Sequence, residues 1–174
     1  MNATAAALLG LLDTSGDELT GGELARLAQT RIGDFWTVTR SQVYRELATL
    51  EQQGYIKAGA TGPRDARPYR LTRSGRSTYK RWLVEELPAA TVRVPLLLAL
   101  AFGSVLPADK LRALVTASRD EHAQRLAGYR ELEVELREAD VDPYTRATLS
   151  FGMHYEEAVL RWFEALPADI APRS

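Results

Sequence analysis

Apolar residues recur at intervals of three and four in the first third of the chain, the spacing of an amphipathic helix. The first such segment is rich in alanine and leucine, which have high helix propensity. Two capping boxes follow, at residues 20–23 and 39–42, and each marks the start of a further helix. The pattern therefore predicts three helices, over residues 5–12, 21–32 and 40–53.

A strand-like pattern replaces the helical one after the third helix. Residues 55–60 and 68–71 are short strand-like pieces, and the Gly/Pro/Arg-rich segment 61–67 between them predicts a hairpin with a basic tip. Thr72 is placed to cap a fourth helix over residues 73–87. Three helices, a hairpin and a further helix follow the order of a winged helix-turn-helix domain.

The second half of the chain shows helical periodicity and no strand signal. Helices are predicted over residues 95–102, 108–139 and 144–166. Two long amphipathic helices joined by a tight turn indicate an antiparallel pair that packs against another such pair. The expected fold is mainly α with a small β-hairpin wing. It comprises a winged helix-turn-helix domain, residues 1–87, and an antiparallel helical dimerisation domain, residues 88–174.

The composition excludes several classes of chemistry. Of 174 residues, 45% are apolar and 26% charged, as in an ordinary folded protein, and cysteine is absent. His122 and His154 do not form a metal-binding spacing, and no P-loop, G-x-S-x-G, H-E-x-x-H or G-x-G-x-x-G motif occurs. We expect no enzymatic activity, no metal and no cofactor. The longest apolar run, residues 94–106, is shorter than the ~20 residues of a membrane span, which favours a cytoplasmic protein without a membrane partner.

Charge is distributed unevenly along the chain, although the formal net charge is only −1. Residues 40–81 hold ten basic and three acidic side chains, a net charge of +7, whereas the flanking segments carry −3 and −5. This basic segment coincides with the third helix, the hairpin and the start of the fourth helix. These are the parts of a winged helix that face DNA, so the pattern predicts a double-stranded DNA partner.

The predicted third helix is the candidate recognition helix. If Val43, Leu47 and Leu50 face the core, its polar side chains face outward. The predicted DNA contacts are Arg40, Ser41, Gln42, Tyr44 and Arg45 on this helix, and Arg64, Arg67, Tyr69 and Arg70 in the hairpin. Two of these side chains have an alternative role: Gln42 in capping the helix and Tyr44 in packing on the domain surface. For the hairpin tip, the alternative is charge that only maintains solubility.

Two stretches of sequence carry a family resemblance. They are SQVYRELATLEQQGYI, residues 41–56, and RPYRLTRSGR, residues 67–76, supported by AALLGLL at residues 6–12. With Gly22-Glu23-Leu24 and Phe35-Trp36, they identify a chain that resembles the PadR family of bacterial transcriptional regulators over nearly its whole length. Gly22 departs from the family pattern, which usually has an aromatic residue at that position.

The resemblance implies a homodimeric DNA-binding regulator, commonly a repressor, on an inverted-repeat operator. The C-terminal half resembles the dimerisation domain of longer family members, in which a tryptophan such as Trp162 lies late in the last helix. Some members release DNA when they bind phenolic acids, hydrophobic drugs or other small effectors.

The number of aromatic side chains suggests an effector site between the two predicted domains. The alternative is that these side chains belong to the core and the dimer interface. The candidates are Trp82, Phe102, His154, Tyr155, Trp162 and Phe163. A different function also remains open at this point, that of a dimeric winged-helix adaptor for proteins. The +7 segment disfavours an adaptor, which would more often expose an apolar patch.

Overall fold

A computed structural model describes residues 1–33, 35–62, 66–89, 92–137 and 141–171. The chain divides into two compact units, residues 1–90 and 91–174. The first unit contains α1 (Ala3–Ser15), β1 (Leu19–Thr20), α2 (Gly21–Ile32), α3 (Arg40–Gln52), β2 (Ile56–Ala58), β3 (Pro68–Leu71) and α4 (Arg73–Glu85). The second contains α5 (Pro95–Ala101), a short 3₁₀ turn (Gly103–Val105), α6 (Ala108–Arg137) and α7 (Pro143–Glu164). The predicted fold class is confirmed.

Helix α1 is the centre of the first unit. It contacts α2, α3 and α4, and Leu8 and Leu9 are completely buried. The helix begins two residues earlier than predicted because the Asn2 side chain caps it, accepting a hydrogen bond of 2.8 Å from the Ala5 amide. A helix that is apolar on most sides is the expected core of a small helical domain.

Both predicted capping boxes are formed, and they position α2 and α3. The Thr20 hydroxyl accepts from the Glu23 amide, while the Glu23 carboxylate accepts from the Thr20 amide at 2.8 Å. This hydrogen bond from the Thr20 backbone lowers the pKa of Glu23. Thr39 and Gln42 form the same reciprocal pair at the start of α3. Local hydrogen bonds therefore set where both helices begin.

The sheet has three antiparallel strands in the order β1-β3-β2, one strand more than the predicted hairpin. The extra strand β1 is only two residues long, and its register pairs Leu19 with Tyr69. A strand this short carries no alternation that a sequence pattern can detect. Its pairing with β3 ties the wing to the segment between α1 and α2.

The start of α4 explains why threonine and glycine stand three residues apart in the sequence LTRSG. The Thr72 hydroxyl caps α4 by accepting from the Gly75 amide, and also donates to the Tyr55 carbonyl at 3.0 Å. A Cβ at Gly75 would lie only 2.1 Å from the same Tyr55 carbonyl oxygen. The close approach of α4 to the start of the wing therefore requires glycine at this position.

In the second unit, α6 and α7 pack as an antiparallel pair. Asp142 caps α7 by accepting from the Tyr144 and Thr145 amides, and hydrogen bonding from Thr145 lowers the pKa of Asp142. Pro143 follows at the first helical position, where its missing N–H does no harm. Glu156 on α7 is the one charged residue that is buried among the described ranges.

Buried Glu156 lies between two basic side chains of α6. Its Oε2 makes a very short contact with Nδ1 of His122, and its Oε1 lies 3.2 Å from Nε of Arg125. The Nη2 atom of Arg125 lies 3.1 Å from the same Nδ1 of His122. The cluster compensates the burial of a carboxylate and links the two helices by charge as well as by apolar packing.

Across the described ranges, every helix is too short or too polar for a membrane span. The same ranges hold no group of three His, Asp or Glu side chains arranged to bind a metal ion.

Candidate nucleic-acid interface

Helix α3 turns one face to the core and the other to solvent. Val43, Leu47 and Leu50 are at most 1% exposed, whereas Tyr44 and Arg45 are exposed. The buried residues recur at intervals of four and three, so the residues between them point away from the core. The exposed face of α3 therefore carries an arginine and a tyrosine on a rigid, well-packed helix.

Tyr44 packs its ring on the first turn of α2. A Cβ at Gly21 would lie 2.6 Å from Cε1 of Tyr44, and one at Gly22 would lie 3.9 Å from the Tyr44 hydroxyl. The guanidinium carbon of Arg40 is 5.8 Å from the centre of the same ring, within the range of a cation–π contact. Arg40 and Tyr44 thus form a joint surface beside α2, with the Tyr44 side chain still 44% exposed.

Ser41 and Gln42 belong to the cap of α3. The side-chain oxygen Oε1 of Gln42 accepts from the Thr39 backbone amide at 2.8 Å and from the Thr39 hydroxyl at 3.0 Å. Ser41 is exposed, and its hydroxyl lies 3.2 Å from that of Thr39. The capping role that the sequence offered for Gln42 is therefore the one its carbonyl oxygen performs.

A row of charged side chains crosses the exposed face of the sheet. Lys57 on β2 lies opposite Arg70 on β3, and both are exposed. The register of β1 and β3, continued by one residue, places Glu18 on the other side of Arg70, where the Arg70 Nε and the Glu18 carboxylate are 3.9 Å apart. Lys57 was not among the DNA contacts predicted from the sequence. The alternation of β2, with Ile56 buried and Lys57 exposed, is the signal that identifies it.

The remaining wing candidates have different environments. Arg67 is exposed, and its Nη2 donates to the carboxylate of Glu51, near the end of α3, at 3.0 Å. Arg64 lies outside the described residues. Burial argues against the predicted DNA contact of Tyr69, which is 8% exposed and belongs to the hydrophobic core. Strand alternation puts Tyr69 and Arg70 on opposite faces, so only the arginine faces solvent.

The candidate effector residues have unequal exposure. Trp82 is buried in the first unit, and Phe163 is buried in the second, whereas Phe102 and Tyr155 are exposed. Trp162 is partly buried, with its ring 4.8 Å from that of Phe163.

Two cavities of the second unit each contain one of these candidates. His154, whose Nδ1 donates to the Ser150 carbonyl at 2.7 Å, lines a cavity of about 280 Å³ between α6 and α7. Phe163 lines another cavity, of about 370 Å³. The candidates of the second unit are therefore spread over separate places.

Comparison with known proteins finds two family matches that together span most of the chain. Residues 8–81 match the family described as "Transcriptional regulator PadR-like family". Residues 92–170 match the family described as "Virulence activator alpha C-term".

Two curated proteins are similar to the chain over most of its length. The probable transcriptional regulator Rv1176c of Mycobacterium tuberculosis is 30% identical over 168 residues, which cover 83% of this chain and 86% of that protein. The negative transcriptional regulator PadR of Bacillus subtilis is 29% identical over 179 residues, covering 94% and 95% of the two chains.

Solved structures of Bacillus subtilis PadR have a similar fold. In its complex with operator DNA, that protein matches with a TM-score of 0.76 and 25% identity, covering 94% of this chain and 96% of the other. In its complex with p-coumaric acid, the TM-score is 0.71 and the identity 24%, with the same coverage.

Proposed function

The chain belongs to the PadR-like family of transcriptional regulators, and on that premise we propose that it is a homodimeric repressor that binds an inverted-repeat operator. As a family member it is a DNA-binding regulator and not an enzyme. We assign DNA binding to residues 1–87 and dimerisation and effector binding to residues 88–174. The proposed place of action is the cytoplasm, where a bacterial regulator meets its operator.

The proposal rests on one observation: α3 and the wing both expose basic side chains to solvent. Arg45 and Arg40 are exposed on α3, and Lys57, Arg67 and Arg70 are exposed on the wing. The opposite face of α3 is completely buried, so the helix offers a fixed surface to a partner. A helix of this diameter fits the major groove, and flanking arginines and lysines fit the phosphates.

Each proposed contact follows from side-chain chemistry. Arg45, in the middle of the exposed face, reads a base edge, because an arginine can pair bidentately with guanine O6 and N7. Arg40, Ser41 and Tyr44 contact phosphates beside it. Lys57, Arg67 and Arg70 contact phosphates from the wing. Arg64, which lies between β2 and β3 in the sequence, remains a proposed contact. Gln42 contributes at most its amide nitrogen, because its carbonyl oxygen caps the helix.

The proposed dimer buries apolar side chains that a single chain leaves exposed. Large exposed apolar residues of α6 and α7 are Leu114, Leu132, Val134, Tyr144, Phe151 and Tyr155. The rings of Phe151 and Tyr155 stack at 6.3 Å on the surface of α7. An apolar surface of this kind favours association with a second copy. A two-fold dimer would place its two α3 helices about 34 Å apart on one side of the duplex.

The proposed effector is a small aromatic carboxylate. Bacillus subtilis PadR has been crystallised with p-coumaric acid, a ligand of that class. The second unit of this chain holds two cavities large enough for such a molecule, one lined by His154 and one by Phe163. Trp82 of the first unit and Phe102, Tyr155 and Trp162 of the second remain effector-binding candidates on the sequence alone.

Selection from a random duplex library, followed by binding measurements at several salt concentrations, tests the proposal. We expect a two-fold symmetric consensus, a steep loss of affinity with salt, and a dimer by sedimentation. Addition of p-coumaric acid should weaken binding to the selected duplex. Failure to bind any duplex at 50 mM salt would contradict a role in DNA binding and favour the protein adaptor instead.

A further inference from the structure

Two arginines of the wing are already paired with carboxylates in the free protein. Arg67 binds Glu51 of α3 at 3.0 Å, and Arg70 lies 3.9 Å from Glu18, which precedes β1. The four side chains are between 35% and 58% exposed. Both pairs are therefore accessible to solvent and to any polyanion that binds to the wing.

The sheet register gives Glu18 a defined place beside the wing. Arg70 has Lys57 opposite it on β2, a like charge that repels it, and Glu18 on the β1 side, an opposite charge that attracts it. The Glu18 carboxylate also lies beside the wing, 3.5 Å from where a Cβ of Gly59, the residue after β2, would be. The position of this carboxylate beside Arg70 thus follows from strand pairing.

We propose that Glu51 and Glu18 act as latch residues: they hold Arg67 and Arg70 in the free protein and are displaced by DNA phosphates on binding. The inference rests on the proposed function, because it requires duplex DNA to be the ligand. A guanidinium pairs with phosphate in the same forked geometry as with carboxylate. Exposed ion pairs contribute little stability, so this exchange of partners is energetically accessible.

The latch lowers affinity for every duplex by a similar factor. Releasing Arg67 from Glu51 makes the free energy of binding less favourable for each complex in which Arg67 contacts a phosphate, whatever the base sequence. The two glutamates therefore set the overall affinity, while base preference stays with the exposed face of α3. The alternative is a structural role, in which the Glu51–Arg67 pair holds the wing against α3 in the position that binds DNA.

A double-mutant cycle on the full chain separates these roles. The dissociation constant for a fluorescent random-sequence duplex is measured by anisotropy at 50 mM salt for the wild type, Glu51→Gln, Arg67→Ala and the double variant. For a latch, Glu51→Gln tightens binding about two- to five-fold. The same substitution in the Arg67→Ala background has a clearly smaller effect, because no arginine is released.

Two further variants complete the test. Glu46→Gln removes the same charge from α3. Glu46 accepts from the side-chain amide of Asn2 and, among the described residues, pairs with no arginine, so its gain should be smaller. If circular dichroism shows that Glu51→Gln does not fold, the cycle is repeated at the other pair with Glu18→Gln, in the wild-type and in the Arg70→Ala background. Unchanged or weaker binding of Glu51→Gln, or equal gains in both backgrounds, overturns the latch. A wild type that binds no duplex overturns the proposed function itself.

Discussion

The aromatic ring of Tyr44 rests on Gly21, the first residue of α2, so closely that a side chain at that glycine has no room. A Cβ there would come within 2.6 Å of the ring. The contact joins the exposed face of α3 to α2. It also supports the ring on which Arg40 lies, at 5.8 Å from the ring centre. The orientation of two proposed phosphate contacts therefore depends on a glycine in another helix.

Gly21→Ala should weaken DNA binding with little effect on folding. The new methyl group forces the Tyr44 ring to move, and its partly exposed position allows that movement at small cost in stability. We expect a loss of about two- to ten-fold in affinity for duplex DNA, the range of one hydrogen bond. Gly22→Ala is the matched control, because its Cβ meets nothing closer than 3.8 Å. Anisotropy titrations that gave equal losses for both variants would contradict this account.

Arg45→Ala should relax sequence preference, whereas Lys57→Ala should not. Loss of a bidentate base contact costs about 1–3 kcal/mol on the selected operator and much less on random DNA. Loss of a phosphate contact at Lys57 weakens both complexes alike and reduces the salt slope by about one unit. The measurement is the ratio of the two dissociation constants at several salt concentrations. An operator-to-random ratio for Arg45→Ala that equals the wild-type ratio would rule out base reading by this residue.

Gly75→Ala should destabilise the first unit. Its Cβ would collide with the Tyr55 carbonyl at 2.1 Å, and a backbone carbonyl held by Thr72 cannot move aside freely. We expect a loss of about 1–3 kcal/mol in the free energy of unfolding, the range for overpacking a core. Urea denaturation measures it, with the exposed neighbour Ser74→Ala as the control within about 0.5 kcal/mol of wild type. A Gly75→Ala protein as stable as the control would show that this approach is not tight.

Glu156→Ala should destabilise the helical pair far more than Glu157→Ala. The first removes a 3% exposed carboxylate from between His122 and Arg125. We expect a loss of about 3 kcal/mol, the lower end for a broken buried pair, because Arg125 is 39% exposed and can be rehydrated. Glu157 pairs with Arg130 on the surface, and its removal should cost under about 1 kcal/mol. Denaturation at one fixed protein concentration compares them, and similar losses would contradict a buried charge cluster.

The helix boundaries illustrate what could be read from the sequence. The capping boxes at Thr20 and Thr39 act between residues three apart, so a short stretch of sequence contains both partners of each hydrogen bond. The same holds for the buried positions of α3, whose spacing alone separates core from surface. The end of α3 was therefore predicted to within one residue.

The errors concern residues whose partners lie far away in the chain. The alternation of Tyr69 and Arg70 along β3 predicts that they face opposite ways, but only the packing of the strand shows that the tyrosine enters the core. The strand β1 exists only because β3 pairs with it. Sequence patterns describe faces and spacings, but they do not state which distant segment covers a face.

The sequence by itself determined the order of the helices and the hairpin, the basic segment and the family, because these depend on residue identity and short-range spacing. Only the tertiary structure decided which basic side chains face outward and which carboxylates lie beside them. Glu18 meets Arg70, Glu51 meets Arg67, and Glu156 meets His122 across 52, 16 and 34 residues of chain. Such pairs form when packing of the apolar core brings distant segments together, so the charge environment of the proposed DNA-binding face is a product of the fold.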